Sequence, residues 1–338
     1  FPAELQESIK NIISSQINIY EAAKVEFALA HIYSEALKDA AAEAKIEIDE
    51  IDACGIHGQT VWHQPKAEKY AGFSIAATLQ LGSGRALASL AGIPVVSDFR
   101  SADIALGGEG APLIPVFDAN FLSDTEKNVT TLNIGGMANI TLLPADSGEE
   151  VTAFDTGPGN ILMDIYMTKF YGQPFDDQGA VAALGREIPA FLEELKQIDF
   201  IRKEPPKSTG RELFNEKLID DLLHNAKSVG ETKENVVHTL TKFTAWSISE
   251  NIRKFGDKKS RIIISGGGSK NGTLLKMIAE ELPDAEIKLS SETGIPVDAK
   301  EALCFAYLAW RTLGGIPSSI PSVTGASRES VLGSVSLP

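Results

Sequence analysis

Val25, Leu29, Ile32 and Ala36 recur at intervals of four, three and four residues, the spacing of one buried helix face. They predict that the first fifty residues are helical. The pattern then changes. Residues 51–56 read as a strand that ends at His57-Gly58-Gln59-Thr60, and an apolar segment covers residues 73–81. A short helix and a strand at 93–96 follow. Residues 129–134 and 139–143 are neighbouring strands, with Gly135-Gly136-Met137-Ala138 as a hairpin turn between them. A third strand, 151–154, leads into Asp155-Thr156-Gly157-Pro158-Gly159-Asn160 and then a helix. Helical patterning dominates residues 187–255. The strand 261–265 opens onto Gly266-Gly267-Gly268, and a strand at 286–289 precedes a helix over about 299–313.

Strands alternating with helices predict an α/β protein, and the hairpin makes its sheet mixed rather than purely parallel. No fixed-period repeat or low-complexity linker interrupts the pattern. A chain of 338 residues is long enough for one large unit or two domains. The formal net charge of −15 argues against nucleic acid as a partner, because binding a phosphate backbone needs clustered Lys and Arg. It leaves room for a phosphorylated small molecule, which a few local cations and backbone amides can hold. Cys54 and Cys304 lie far apart among apolar neighbours and read as two thiols in a reducing compartment. No run approaches the ~18 apolar residues of a membrane span. Phe1-Pro2-Ala3-Glu4 has neither the basic nor the apolar region of a signal peptide, so cytoplasm is the expected location.

The segments able to carry chemistry are glycine turns at strand ends. No Walker A sequence and no strand-linked Gly-x-Gly-x-x-Gly is present, which weighs against P-loop and Rossmann readings. Gly135-Gly136 is expected to permit positive φ and close approach of an anion to backbone N–H groups, with a plain hairpin turn as the alternative. Gly266-Gly267-Gly268 has the same two readings. Asp155, at a strand end before Gly157-Pro158-Gly159, suits a general base at the carboxyl edge of a sheet, or an Asx turn or helix cap. Arg100 stands between Asp98 and Asp103, where it serves an internal salt bridge or binds a carboxylate or hydroxyls. Lys207-Ser208-Thr209-Gly210-Arg211-Glu212 reads as an ordered polar loop. His57 and His63 lack zinc-site spacing and Cys partners, so His57 is read as lining a polar strand end.

The order of these segments is more specific than any one of them. Gly55-Ile56-His57-Gly58-Gln59-Thr60, Ser97-Asp98-Phe99-Arg100 and Gly107-Gly108-Glu109-Gly110-Ala111-Pro112-Leu113 come first. Leu132-Asn133-Ile134-Gly135-Gly136 and Phe154-Asp155-Thr156-Gly157-Pro158-Gly159-Asn160 follow. Pro206-Lys207-Ser208-Thr209-Gly210-Arg211, Ser265-Gly266-Gly267-Gly268 and Val323-Thr324-Gly325-Ala326 complete the series. Taken together, the chain resembles the anhydro-N-acetylmuramic acid kinase family of the actin-like ATPase and sugar-kinase superfamily.

The resemblance implies two actin-like (ribonuclease H-like) domains with mixed sheets around a central cleft, an N-terminal one over 1–125 and a C-terminal one over 126–338. The C-terminal helix is a candidate to complete the first. It implies a kinase that uses ATP and Mg²⁺ to open a 1,6-anhydro ring and phosphorylate O6, in the recycling of cell-wall sugars. A kinase for another anhydrosugar such as levoglucosan is the nearest alternative, and a non-catalytic sugar- or nucleotide-binding protein is the alternative of another class. Asp155 takes the position of the family's base. His57, Arg100, Asp103 and Glu301 take those of sugar contacts, with a capping box at Asp298-Ala299-Lys300-Glu301 as the rival reading of Glu301. Asn133, Gly135, Gly136, Gly157, Gly159, Asn160, Lys207, Gly266, Gly267, Gly268 and Asn271 take the positions expected to face nucleotide. Metal ligands are not identified, and a homodimer is expected by analogy. Family members open with a strand and a Gly-Thr-Ser-x-Asp-Gly phosphate loop, whereas Phe1-Pro2-Ala3-Glu4-Leu5 resembles the stretch just after the family's first hairpin. The expectation is either a piece of a longer chain or a protein without that loop.

Overall fold

The computed structural model describes residues 1–14, 18–146, 148–224 and 231–338. The chain forms two compact units, Phe1–Phe117 with Glu301–Pro338, and Asp118–Lys300. Among the described residues there are ten strands. In chain order they are β1 (Cys54–Gly55), β2 (Gln59–Tyr70), β3 (Phe73–Leu81), β4 (Val95–Ser97), β5 (Val129–Ile134), β6 (Met137–Leu143), β7 (Thr152–Pro158), β8 (Arg261–Ser265), β9 (Glu286–Leu289) and β10 (Ser334–Ser336).

The first unit begins with helices Ala3–Ile13 and Ile19–Ala44; Asn18 caps the second, its side chain accepting from the Tyr20 N–H at 3.0 Å. Leu5, Ile9, Ile12, Val25, Leu29, Val61 and Leu81 form one core cluster, with Ile32 packed against it. Ala36, expected on that face, is exposed. The buried stripe shifts instead to Ala30, Ser34 and Ala41, because the helix passes on to a second cluster in which Ala30 meets Ile56, Leu87, Ala88 and Val95. β4 pairs in parallel with β1 and antiparallel with β10. The strand expected over 51–56 is reduced to Cys54–Gly55, the part that finds a partner in β4. Gly55 is required there: a Cβ would lie 2.4 Å from the Phe305 carbonyl oxygen on helix Lys300–Leu313.

β2 and β3 form a separate antiparallel hairpin around Ala71-Gly72, whose φ values of 49° and 87° are those of a tight primed turn. The pattern did not predict β2, because Gln59–Tyr70 carries a proline and several charges and buries only Val61. β10 also went unpredicted; three residues give no period to read.

In the second unit the sheet order is β7-β6-β5-β8-β9. β6 runs antiparallel to β5 and β7, while β8 and β9 run parallel to β5. Numbered within the unit this is 3-2-1-4-5 with only strand 2 reversed, the ribonuclease H-like topology of an actin-like domain. β7 is longer than the expected 151–154 strand; Asp155 and Gly157 pair with Asn139 and Ala138 of β6, and Thr156 forms a bulge between them. Leu132, Ile134, Ile140, Phe154, Ile262 and Ile264 contribute the sheet's side of the core. Helix Lys233–Phe255 packs on β7 and on helices Ile161–Tyr171, Pro189–Leu195 and Gly272–Glu281.

Candidate active site

The C-terminal ends of β5, β7 and β8 and the start of β6 lie at one edge of this sheet, and the glycine turns meet there. Gly159 and Ile161 donate their N–H groups to the Gly136 carbonyl at 2.8 and 3.1 Å, and Asn160 donates its own to the Gly135 carbonyl at 2.8 Å. A Cβ on Gly159 would lie 2.3 Å from the Gly135 oxygen, and one on Gly268 would lie 2.3 Å from Ile134 Cγ2. Gly266, at φ 84°, brings its backbone against the Asn133 side chain. Asn133, Gly135, Gly136, Gly157, Gly159, Asn160, Gly266 and Gly268 are thus brought together by close backbone packing. Gly135 and Gly136 differ from expectation, since neither is among the positive-φ residues. Their small size serves approach rather than an unusual dihedral. At Gly136 and Gly267 a Cβ would meet nothing within 4 Å, so the backbone is open on that side to a ligand.

Asp155 sits half-buried on β7 opposite Asn139. Its carboxylate oxygen Oδ2 accepts from the Thr209 N–H at 2.9 Å and from the Ser208 hydroxyl at 3.3 Å. Its backbone N–H donates to the Lys207 carbonyl at 3.1 Å. Donors of this kind fix the direction of the carboxylate. The Asx-turn and cap readings give way, because Asp155 lies inside a paired strand.

Lys207 does not direct its cation toward a nucleotide. The ammonium is buried, 2.6 Å from Asn251 Oδ1 and 2.9 Å from the Ile201 carbonyl, with the rings of Phe154, Phe200 and Phe255 between 5.3 and 5.6 Å away. Burial, and then the nearby Lys254 charge, lower its pKa to about 8. Asn271 is likewise occupied: it caps helix Gly272–Glu281, accepting from the Leu274 N–H at 2.9 Å.

In the first unit, Arg100 Nε donates to His57 Nε2 at 2.9 Å, and Arg100 NH1 donates to the Gly110 carbonyl at 2.6 Å. His57 Nδ1 lies 2.8 Å from the Gly58 carbonyl, so the bonds select the neutral Nδ1–H tautomer. Burial and then the Arg100 charge push the His57 pKa down to about 4. Burial also lowers the Arg100 pKa, and no acid offsets it. The internal salt bridge with Asp98 or Asp103 is not formed. Asp98 instead accepts from Ser101 Oγ at 2.6 Å.

Asp103, expected to touch sugar, is fully buried, and its two oxygens are taken by the Gly110 N–H at 2.7 Å and the Thr324 hydroxyl at 2.8 Å. It is a clasp between the Gly107-Gly110 loop and helix Pro321–Thr324. Glu301 is exposed on the first turn of helix Lys300–Leu313. Asp298 bonds Lys270 Nζ at 3.0 and 3.1 Å rather than entering the expected capping box.

Two supporting residues had escaped notice in the sequence. Thr244 donates to the Gly159 carbonyl at 3.0 Å, and Asn251 donates to the Thr156 carbonyl at 3.2 Å, both from the buried face of helix Lys233–Phe255. A run of polar residues at helical spacing on a buried face was the signal available for them. Asp164 lies on helix Ile161–Tyr171. It is half-buried, and burial raises its pKa to about 6 although the Arg211 charge opposes this.

A ribonuclease H-like sheet with glycine turns and an oriented carboxylate at its carboxyl edge defines an actin-like phosphotransferase. Within that class the chain belongs to the anhydro-N-acetylmuramic acid kinase family, whose model matches residues 1–338. An anhydro-N-acetylmuramic acid kinase of Salinibacter ruber (strain DSM 13855 / M31) is 40% identical over 343 residues, covering 100% of this chain and 86% of that protein. Among solved structures, xylulose kinase from Rhodospirillum rubrum matches with 14% identity and a TM-score of 0.38, over 69% of this chain and 48% of that one. ROK hexokinase from Thermus thermophilus matches with 14% identity and a TM-score of 0.36, over 86% and 87%. The assignment rests on the family and sequence matches, not on these distant likenesses.

Proposed function

We propose that this protein is an ATP-dependent kinase of anhydro-N-acetylmuramic acid, yielding N-acetylmuramic acid 6-phosphate. Asp155 takes a proton from water as the water oxygen bonds to C1 of the sugar. The C1–O6 bond breaks, O6 bonds to the γ-phosphorus, and the bond from that phosphorus to the ADP oxygen breaks. The observation that carries this reading is the Asp155 carboxylate, half-exposed at the glycine-lined edge and held by the Thr209 N–H and Ser208. Phosphoryl transfer needs positioning and charge neutralisation more than covalent help from the protein.

Asn133, Gly135, Gly136, Gly157, Gly159, Asn160, Gly266, Gly267 and Gly268 are the residues proposed to face ATP, and the open backbone at Gly136 and Gly267 suits a phosphate or adenosine group. Magnesium, when bound to ATP, neutralises phosphate charge. Among the described residues no group of three or more His, Cys, Asp or Glu could hold a metal ion. This fits an ion held largely by phosphates and water.

Arg100, His57 and Glu301 are the proposed sugar contacts. Arg100 favours the muramic sugar over levoglucosan: a half-buried guanidinium bonded to His57 and the Gly110 carbonyl rather than to an acid suits the lactyl carboxylate. A homodimer is part of the proposal, supported by the pairs Trp62–Leu79 and Tyr70–Phe73, which expose apolar side chains on one side of the β2–β3 hairpin. Sedimentation equilibrium showing only monomer would remove it. Cytoplasm is the proposed location; no helix among the described residues is long and apolar enough to cross a membrane.

The test is ATP-dependent phosphorylation by the product of the complete reading frame, run in ¹⁸O-water. Wild type should place ¹⁸O at C1 of the product, and Asp155→Asn should lose at least about a hundredfold in kcat, within the range for a positioned base. Substantial turnover by Asp155→Asn would overturn the assignment of the base.

A further inference from the structure

The Lys207–Thr209 segment holds the Asp155 carboxylate, and it is itself held from inside the unit. The backbone of Lys207 and Thr209 joins Asp155 twice, beginning at Lys207. Its carbonyl accepts the Asp155 N–H at 3.1 Å, and two residues on, Thr209 donates its N–H to Oδ2 at 2.9 Å. From the same residue the ammonium runs inward to Asn251 Oδ1 at 2.6 Å and the Ile201 carbonyl at 2.9 Å. Asn251 then donates to the Thr156 carbonyl at 3.2 Å, next in chain to Asp155, and to the Ser247 carbonyl at 2.8 Å. The path from Asp155 through Lys207 and Asn251 returns to β7 one residue beyond its start.

We infer that Lys207 is a positioning residue for the catalytic base: its buried ammonium, clamped by Asn251, the Ile201 carbonyl and three aromatic faces, fixes the loop that aims the Asp155 carboxylate. This rests on the reading of Asp155 as the base. A cation among Phe154, Phe200 and Phe255 gains from their negative ring faces, while its hydrogen bonds offset the loss of water. A neutral amine loses the attraction of the rings and keeps only weaker, uncharged hydrogen bonds. The charged groups around it are Lys254 on helix Lys233–Phe255, which disfavours the cation, and Glu204 and Asp155, which favour it. The folded-state pKa of about 8 lies below the ordinary 10.5, so the clamp is intact below pH 8 and weakens as pH rises through it.

The experiment measures kcat and KM from pH 6.5 to 9.5 for wild type, Lys207→Met, Lys254→Glu and Asp155→Asn, each checked for folding by circular dichroism. Wild-type kcat should fall on an alkaline limb near pH 8. Lys207→Met should lose at least tenfold in kcat at pH 7, keep both KM values within about threefold and lack that limb, because Met keeps the length of the side chain without its charge. Lys254, whose side chain is 40% exposed, bonds Glu204 at 2.7 Å and the Arg202 carbonyl at 3.1 Å and makes no hydrogen bond to Lys207 or Asp155. Lys254→Glu should keep its neutral-pH kcat and move the limb upward, because a like charge becomes an opposite one. A folded Lys207→Met with wild-type kcat overturns the inference. So does a limb that is absent in wild type or unmoved in Lys254→Glu, and this arm decides the matter if Lys207→Met does not fold. An inactive Asp155→Asn beside an unaffected Lys207→Met refutes the clamp alone, whereas an active Asp155→Asn refutes the base.

Discussion

Asp118 and Lys300, the first and last residues of the second unit, form a buried ion pair. Lys300 Nζ lies 2.8 Å from Oδ1 and 3.0 Å from Oδ2, and the Thr131 hydroxyl also donates to Oδ2. The side chains are 5% and 1% exposed, so neither partner keeps water as an alternative. Replacing Asp118 by Ala strands the ammonium and removes the acceptor of Thr131. Breaking a buried pair from one side costs about 3–5 kcal/mol. At about 2–4 °C per kcal/mol for a unit of this size, that is a fall in Tm of about 6–20 °C. Thermal and urea unfolding of the second unit's transition, followed by circular dichroism at pH 7, measures it. The double variant Asp118→Leu/Lys300→Met should recover most of the loss, since apolar replacement of a buried pair is often neutral or stabilising. A single variant within about 1 kcal/mol of wild type, against the several expected, refutes the reasoning. So does a double variant less stable than the single one, which would mean that the pair's packing rather than its charge carries the effect.

Three further substitutions test other parts of the structure. His57, with a folded pKa of about 4 against an ordinary 6.5, binds its proton more weakly folded than unfolded. Its neutral form therefore costs nothing above pH 6.5, and stability falls as pH drops from 6.5 to 4, by up to about 3 kcal/mol before discounting for partial exposure. Urea unfolding at several pH values should show that slope in wild type and a flatter one in His57→Gln; equal slopes would contradict it. Gly136→Ala meets open space and should leave Tm unchanged while weakening binding of a non-hydrolysable ATP analogue by calorimetry. Gly159→Ala drives a Cβ to 2.3 Å from the Gly135 oxygen and should cost about 1–3 kcal/mol of stability in addition. If the two behave alike, the distinction between open and packed glycines fails.

The second unit was the more legible in the sequence. β5, β8 and β9 are short, carry apolar residues in strand-like runs or alternation and are bounded by turn residues, so each strand and the hairpin at Gly135-Gly136 followed from pattern alone. β2 hid its nature because a half-exposed hairpin buries one apolar side chain in twelve residues. The site was legible as a set of segments but not as a set of roles. Lys207, Asp103 and Asn271 are residue types that bind ligands at surfaces, and only their burial reveals that they hold backbone in place. Sequence order carries no burial, so a lysine two residues from Thr209 of the Asp155 clasp was expected to face nucleotide. Each of the three has one contact in a segment distant in the chain: Asn251 for Lys207, Thr324 for Asp103, and for Asn271 the Gly179 turn against which its side chain packs. The helix Lys233–Phe255 makes the same point from the other side. Thr244 and Asn251 sit on its buried face, where the period of the helix asks for apolar residues. They break the pattern because the carbonyls of Gly159 and Thr156 at the sheet edge need donors. Thr244 and Asn251 therefore mark two points where this helix holds the sheet edge, and both of the carbonyls they bond lie within four residues of Asp155 in the chain.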